Sequence, residues 1–270
     1  MEKNAENKLI LLKKILVEMG KVLVAYSGGV DSSFLASVSS EVLGSNSLAV
    51  FAYSPLSPTG EREEAESLAH QIGFRLKIIE TNEMEDPDFL ANPPERCYYC
   101  KKELFHALRD IAQSENITWI ADGTNTDDLS DYRPGRRACL EAGVRSPLLE
   151  AGLTKDEIRL LSKQRGLPTW DRPASPCLAS RIPYGIQITR EILEKIAAGE
   201  RYLRGLGLRQ LRLRHHGEIA RLELDVKDFS IILQDRIRKE AISQLKSLGY
   251  RYITLDLGGY RTGSLNPVSR

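Results

Sequence analysis

Val22-Leu23-Val24-Ala25-Tyr26, followed at once by Ser27-Gly28-Gly29-Val30-Asp31-Ser32-Ser33, is the stretch on which the fold turns. Five consecutive apolar residues read as a strand buried on both faces, the kind a parallel sheet requires. The two glycines permit a tight turn and bring backbone N–H groups close to an anion. A helix from Asp31 to Leu43, closed by Gly44, would turn its partial positive N-terminus toward the same anion, with Ser27, Ser32 and Ser33 adding hydroxyl donors. No Gly-Lys-Ser/Thr follows the glycines, so the loop is not of the kind that moves a γ-phosphoryl group. A loop that grips β- and γ-phosphates as one leaving pyrophosphate keeps the α-phosphorus open to attack.

The same alternation runs outward from this loop. Leu9, Leu12, Leu16 and Met19 recur at helical spacing before it, up to Gly20. After it come strands over Leu48–Tyr53, Leu76–Glu80 and Ile117–Ala121, with helices over Glu61–Gln71 and Lys102–Gln113 between them. Thr154 opens a further helix, with Glu157 three residues on completing a capping box. The class expected is α/β, a doubly wound and mostly parallel sheet with ligands outside the carboxyl ends of its strands. Residues 1–167 are assigned to this domain. Residues 168–185, with Pro168, Pro173, Pro176 and Pro183, read as a structured linker. Residues 186–270 suffice for a smaller α+β domain: a helix near Thr189–Leu206, strands around Leu211 and Leu222, a helix over Asp228–Leu248 and a last strand, Tyr252–Leu255.

The 270 residues are 41% hydrophobic and 28% charged, with a formal net charge of +1, which gives the whole molecule no electrostatic case for wrapping a nucleic acid. No apolar run approaches the roughly 20 residues that span a bilayer. The polar first residues lead into an amphipathic pattern, so a cytoplasmic protein is expected.

A second polar cluster, Asp122-Gly123-Thr124-Asn125-Thr126-Asp127-Asp128, follows the fourth strand on the same rim as the glycine loop. Its carboxylates suit magnesium or substrate, or cap their own loop. Cys97 and Cys100 form a C-x-x-C pair; Cys177 stands in Pro176-Cys177-Leu178-Ala179-Ser180-Arg181-Ile182-Pro183-Tyr184-Gly185; Cys139 matches no motif and reads as a small buried residue. Zinc on Cys97, Cys100, Cys177 and His106, or a redox dithiol, are open readings of these thiols. Leu211-Arg212-Leu213-Arg214-His215-His216 alternates at period two, placing Arg212, Arg214 and His216 on one face: a solvated basic face, or a fork for a phosphate monoester.

The glycine loop resembles that of the PP-loop superfamily of ATP pyrophosphatases. Together with the Asp-Gly-Thr-Asn cluster, Leu153-Thr154-Lys155 and the segment around Cys177, it resembles the LarE family of ATP-dependent sulfur transferases, from about residue 8 to 260. The resemblance implies ATP over Ser27, Gly28, Gly29, Ser32 and Ser33, with Mg2+ held by Asp31. It sets adenine against the backbone of Phe51, Ala52 and Tyr53, and gives the Asp122, Thr124, Asn125 and Asp128 cluster to the nucleotide. It implies adenylation of pyridinium-3,5-biscarboxylic acid mononucleotide and replacement of AMP by sulfur, as a step in nickel-pincer nucleotide cofactor biosynthesis. The substrate's phosphate is expected at Arg212 and Arg214, with Glu200 nearby and Arg181 beside the Cys177 loop.

Members with one cysteine, at the position of Cys177, give up its sulfur. This chain resembles instead the subgroup in which three cysteines, here Cys97, Cys100 and Cys177, hold a [4Fe-4S] cluster with one iron left to carry sulfide. Sulfide or a sulfur-donor protein, and further copies of the chain, are the partners implied, with no nucleic acid and no membrane. A tRNA-thiolating enzyme and a non-catalytic nucleotide or iron–sulfur binding protein are the competing readings.

Overall fold

Val22–Tyr26 forms the expected strand, β1, and it lies inside a sheet, as its apolar run demands. The computed structural model describes residues 2–54, 56, 57, 60–129, 134–173, 176–208, 210–261 and 265. Along the chain come α1 (Glu2–Met19), β1 (Val22–Tyr26), α2 (Val30–Leu43), β2 (Ser47–Tyr53), α3 (Glu61–Ile72) and β3 (Leu76–Glu80). Next are α4 (Pro87–Leu90), α5 (Arg96–Ser114), β4 (Trp119–Ala121), α6 (Gly135–Glu141), α7 (Pro147–Glu150) and α8 (Lys155–Gln164). The remainder holds α9 (Arg190–Gly205), β5 (Leu211–His216), β6 (Ile219–Leu224), α10 (Phe229–Ile232), α11 (Asp235–Ser247) and β7 (Tyr252–Leu255).

The chain divides into two compact units: one takes 1–54, 60–83 and 97–175, the other 55–59, 84–96 and 176–270. In the first, a wholly parallel sheet runs in the order β3-β2-β1-β4. Its strands are buried by period two. Val22, Val24 and Tyr26 join a core with Leu12, Leu16, Phe34 and Ile158 from α1, α2 and α8, while Leu23 joins Phe105 and Leu108 of α5. Helices therefore cover both faces, the doubly wound arrangement expected from the sequence. The second unit has a mixed sheet, β5-β6-β7, antiparallel at β5–β6 and parallel at β6–β7.

The sequence boundaries, 1–167, 168–185 and 186–270, differ from this division. The proline-rich stretch is split after residue 175, and 84–96 belongs to the second unit. Asn92 shows why. Its side-chain amide donates to the carbonyls of Pro183 and Ile186, both at 2.8 Å. Arg96 donates in turn to Asn92 Oδ1 at 2.7 Å and to the Ile182 carbonyl at 3.2 Å.

Two helices depart from expectation. α5 starts at Arg96 rather than Lys102, because the Arg96 N–H bonds the Pro93 carbonyl at 3.0 Å and opens the helix directly behind the prolines. Cys97 and Cys100 thus lie in its first turns. The helix expected over Asp228–Leu248 is two, α10 and α11, parted where Gln234 takes an extended conformation (φ −58°, ψ 132°). Among the described residues no helix is long and apolar enough to cross a membrane.

Candidate active site

The glycine loop is folded by its own serines. The Ser27 N–H donates to Ser32 Oγ at 3.1 Å, the two hydroxyls lie 3.0 Å apart, and Ser32 Oγ donates back to the Gly29 carbonyl at 3.3 Å. Gly28 takes φ +70°, the left-handed conformation that favours glycine. Gly29 caps α2 with no side-chain bond of its own, so the loop meets the helix N-terminus as bare backbone. Asp31 sits in the first turn of α2, and Lys155 Nζ, from the start of α8, bonds its Oδ2. The sequence named Lys155 only within Leu153-Thr154-Lys155 and gave it no role, because its partner lies 124 positions away.

The Asp122 cluster reaches the same place. A Cβ on Gly123 would stand 3.0 Å from the Ser32 backbone nitrogen and 3.3 Å from Asp31 Cβ, so only glycine lets this turn press on the start of α2. The carboxylates mostly shape the turn. Asp122 Oδ1 accepts from the Thr124 N–H at 3.1 Å and from Ser146 Oγ at 2.7 Å, and Oδ2 accepts from Thr124 Oγ1 at 2.7 Å. Asp128 accepts from the Asn125 N–H, Asn125 from the Asp127 N–H, and Asp127 from the Lys155 N–H. The cluster therefore ties the phosphate loop to α8. Phe51, Ala52 and Tyr53 end β2 on this rim. Pairing with β1 stops at Tyr26↔Phe51, while pairing with β3 continues to Tyr53, so Ala52 and Tyr53 run on beside the loop.

Cys97 and Cys100 lie one turn apart on α5, Cys97 exposed and Cys100 half-buried. Cys100 Sγ lies 3.8 Å from Glu83 Oε1, which also accepts from Thr81 Oγ1 at 3.0 Å. Lys101 donates to Cys139 Sγ at 3.5 Å, and Cys139 donates to Asp122 Oδ2 at 3.5 Å, joining α5 to the polar cluster. Burial pushes the Cys139 thiol up, which keeps its proton in place. Cys139 is thus a buried link, as its sequence context suggested.

Cys177 belongs to the second unit, where it precedes a single 3-10 turn, Leu178–Arg181. Arg181 is wholly buried. Its Nε and Nη2 donate to the two oxygens of Glu200 at 2.8 and 3.0 Å, and its Nη1 donates to the carbonyls of Pro176 and Cys177 and to Ser180 Oγ. Glu200 also accepts from Arg204 and from the Leu213 N–H. Burial drives the Glu200 carboxyl up, but the Arg181 bonds and the Arg181 and Arg204 charges outweigh it and hold it below the usual carboxylate range. Arg181 and Glu200, which the resemblance set beside the Cys177 loop and near the substrate's phosphate, bond each other and form the mount of the Cys177 turn.

Arg212 and Arg214 project from β5 as the alternation implied, but the face is buried rather than solvated. Arg214 donates to Glu223 Oε2 through Nε and Nη2, at 2.9 and 2.8 Å, and to the Ser180 carbonyl at 2.7 Å. Arg212 lies over the Tyr260 ring, 5.1 Å from its centroid, and bonds its own neighbour's carbonyl at 2.7 Å. Burial first, and the Arg181 charge second, push the Arg212 guanidinium down to about 10. Among the described residues no three His, Cys, Asp or Glu side chains gather into a metal-holding group.

The family model described as NAD synthase matches residues 7–88, the span from α1 through the phosphate loop and β3 into α4. A pyridinium-3,5-bisthiocarboxylic acid mononucleotide synthase of Lactiplantibacillus plantarum is 39% identical over 263 residues, 96% of this chain and 94% of that protein. An uncharacterised protein of Synechocystis sp. is 44% identical over 263 residues, 97% of this chain and 98% of its own length. A glutamine-hydrolysing GMP synthase of Thermus thermophilus is 30% identical over 203 residues, 68% of this chain and 40% of that protein.

Proposed function

The chain belongs to the LarE family of PP-loop proteins, and on that premise we propose that it is an ATP-dependent sulfur insertase. Its substrate would be pyridinium-3,5-biscarboxylic acid mononucleotide and its product the thiocarboxylate, for nickel-pincer nucleotide cofactor biosynthesis. A carboxylate oxygen attacks the α-phosphorus of ATP, the bond to the β-phosphate oxygen breaks, and pyrophosphate leaves. A sulfur nucleophile then attacks the acyl carbon of the adenylate and AMP departs with the carbon–oxygen electron pair.

Each residue has a part in this. Backbone N–H groups of Gly28 and Gly29 and the hydroxyls of Ser27, Ser32 and Ser33 hold the pyrophosphate end. Asp31 would hold Mg2+, since it stands at that end, where Lys155 meets its Oδ2, and the cation would offset the charge of the phosphates. Asp122, Thr124, Asn125 and Asp128 keep the rim in shape, and Ala52 and Tyr53 meet the adenine. Arg212, with Tyr260, takes the substrate's phosphate, whose charge relieves the crowding of cations around it. Arg214 holds the strand to Glu223 and Ser180. Cys177 supplies or carries the sulfur. The observation that carries this reading is the mount of Cys177: a buried arginine commits its guanidinium to the carbonyls flanking one thiol.

By the resemblance Cys97, Cys100 and Cys177 would hold a [4Fe-4S] cluster: Cys97 is exposed and Cys100 half-buried, one helical turn apart on α5, and Cys177 is half-buried. Bound by three thiolates, such a cluster supplies an open iron for sulfide. With a cluster, sulfide or a sulfur-donor protein replenishes the site; without one, Cys177 itself is consumed. We place the enzyme in the cytoplasm, as a homo-oligomer.

The test is anaerobic turnover with ATP, Mg2+, the dicarboxylate mononucleotide and sulfide, with AMP and thiocarboxylate followed together. AMP and thiocarboxylate in step support the assignment. In Cys177→Ala, AMP should form without thiocarboxylate. Pyrophosphate release that ignores the mononucleotide would refute it. About four irons per chain, lost in Cys97→Ala, Cys100→Ala and Cys177→Ala, would support the cluster. Iron-free protein that turns over once, with Cys177 losing hydrogen sulfide, would replace it with the sacrificial route.

A further inference from the structure

A Walker-type loop carries a lysine against the triphosphate's charge, and the Ser27–Ser33 loop carries no cation at all. Among the described residues two cations approach it from elsewhere in the same unit. Lys155 is one, engaged with Asp31. The other is Arg172, beyond the end of α8. Its Nη1 donates to the Gly28 carbonyl at 3.1 Å and its Nη2 to Glu64 Oε2 on α3 at 2.6 Å. A Cβ on Gly28 would stand 3.8 Å from that Nη1, so the guanidinium covers the left-handed glycine of the loop. The backbone behind it is anchored too, since Arg159 donates to the Trp170 and Arg172 carbonyls at 2.7 and 2.9 Å. Burial raises the Tyr26 phenol at the end of β1, and the Ser33 hydroxyl and then the Arg172 charge pull it partly back, so Arg172 also acts on the floor of the loop.

Neither partner holds this guanidinium firmly. A carbonyl is a neutral acceptor, and Glu64 is half exposed, where an ion pair is worth little. Phosphate oxygens offer a planar fork a charged, two-point match. We propose that Arg172 is a ligand of the nucleotide's β- and γ-phosphates, exchanging the Gly28 carbonyl and Glu64 for phosphate oxygens when ATP fills the loop. It stabilises the charge that gathers on pyrophosphate as the bond to the α-phosphorus breaks. The inference rests on the assignment of the loop to ATP, and it adds a residue to that site.

Calorimetric binding of MgATP, magnesium pyrophosphate and AMP to the full chain tests it. In Arg172→Gln, ATP and pyrophosphate should bind about 10- to 100-fold more weakly, the loss of a charge-assisted contact, while AMP, which lacks the β- and γ-phosphates, should bind as before. Arg172→Lys should lie between. Glu64→Gln, which removes the competing carboxylate, should bind ATP as well as the parent or better. ATP binding unchanged in Arg172→Gln, AMP weakened as much as ATP, or Glu64→Gln as weak as Arg172→Gln would each overturn the proposal. A parent chain that binds none of the ligands would instead sink the ATP assignment itself.

Discussion

At the scale of the residue, the fully buried pair Arg181–Glu200 sets the terms for the Cys177 turn. Neither charge reaches water, so removing Glu200 leaves the Arg181 guanidinium uncompensated, at a cost of about 3–5 kcal/mol. Glu200→Gln is therefore expected to lower stability by about that amount in urea unfolding at neutral pH. It should also alter the acid limb. Glu200 titrates below its ordinary value in the folded chain. Between the two values the unfolded chain binds more protons, so stability rises with pH there. The contribution is complete above the ordinary carboxylate range and is lost as pH falls through the folded value. Unfolding followed from about pH 7 down to about pH 3 should show a shallower decline in Glu200→Gln than in the parent; parallel curves would contradict the assignment. Gly123→Ala tests the other site. Its Cβ would meet the Ser32 nitrogen at 3.0 Å, and backbone cannot step aside as a side-chain end can. A loss of about 1–3 kcal/mol together with weakened ATP binding is expected, and unchanged ATP affinity would show that the two turns are not coupled.

At the scale of the element, α8 carries the polar connections of the first site at its start. Thr154 Oγ1 accepts from the Glu157 N–H and Glu157 Oε2 accepts from the Thr154 N–H, while Lys8 of α1 holds Glu157 from outside. Thr154→Ala should cost about 1 kcal/mol in thermal or urea unfolding and loosen Lys155 from Asp31, raising the ATP concentration needed for half-saturation. A variant with unchanged stability would mean that Lys8 alone suffices to hold the helix start. This cap was plain in the sequence, because both of its partners sit within four residues. So were β1 and β2, each built on a run of apolar residues. The first turns of α5 were not, because Pro93-Pro94 advertises a loop and only the turn back to Pro93 shows the helix beginning at Arg96. The division of labour among the arginines of β5 was hidden for a different reason. Period two puts Arg212 and Arg214 on one face, but nothing local reveals that Glu223 claims Arg214 and Tyr260 underlies Arg212. Arg172 escaped notice, and Lys155 stood in a motif without a role, for the same cause: each acts on residues more than a hundred positions away.

At the scale of the whole molecule, the two units are interleaved along the chain. The chain leaves the first unit at 55–59 and again at 84–96 before crossing for good after 175. Both early excursions are fastened to residues that come later: the Leu178 N–H bonds the Leu56 carbonyl at 2.9 Å, the Ile188 N–H bonds the Leu90 carbonyl at 2.9 Å, and Asn92 spans Pro183 and Ile186. Phe89 is buried at 1% exposure within the second unit, although it precedes most of the first unit's helices in sequence. A fragment ending at residue 175 would keep its parallel sheet and phosphate loop but strand these excursions. Asn92 would lose both acceptors of its amide, and the Leu56 and Leu90 carbonyls would lose the N–H groups of Leu178 and Ile188 that bond them, leaving polar groups without partners. Such a fragment is expected to bind a hydrophobic dye and to associate in light scattering, where the full chain binds little dye. A monodisperse fragment with parent-like ATP affinity and no dye binding would show instead that 84–96 can fold back onto the first unit alone. The phosphate loop would then be separable from the Cys177 turn, and adenylation could be assayed apart from sulfur delivery.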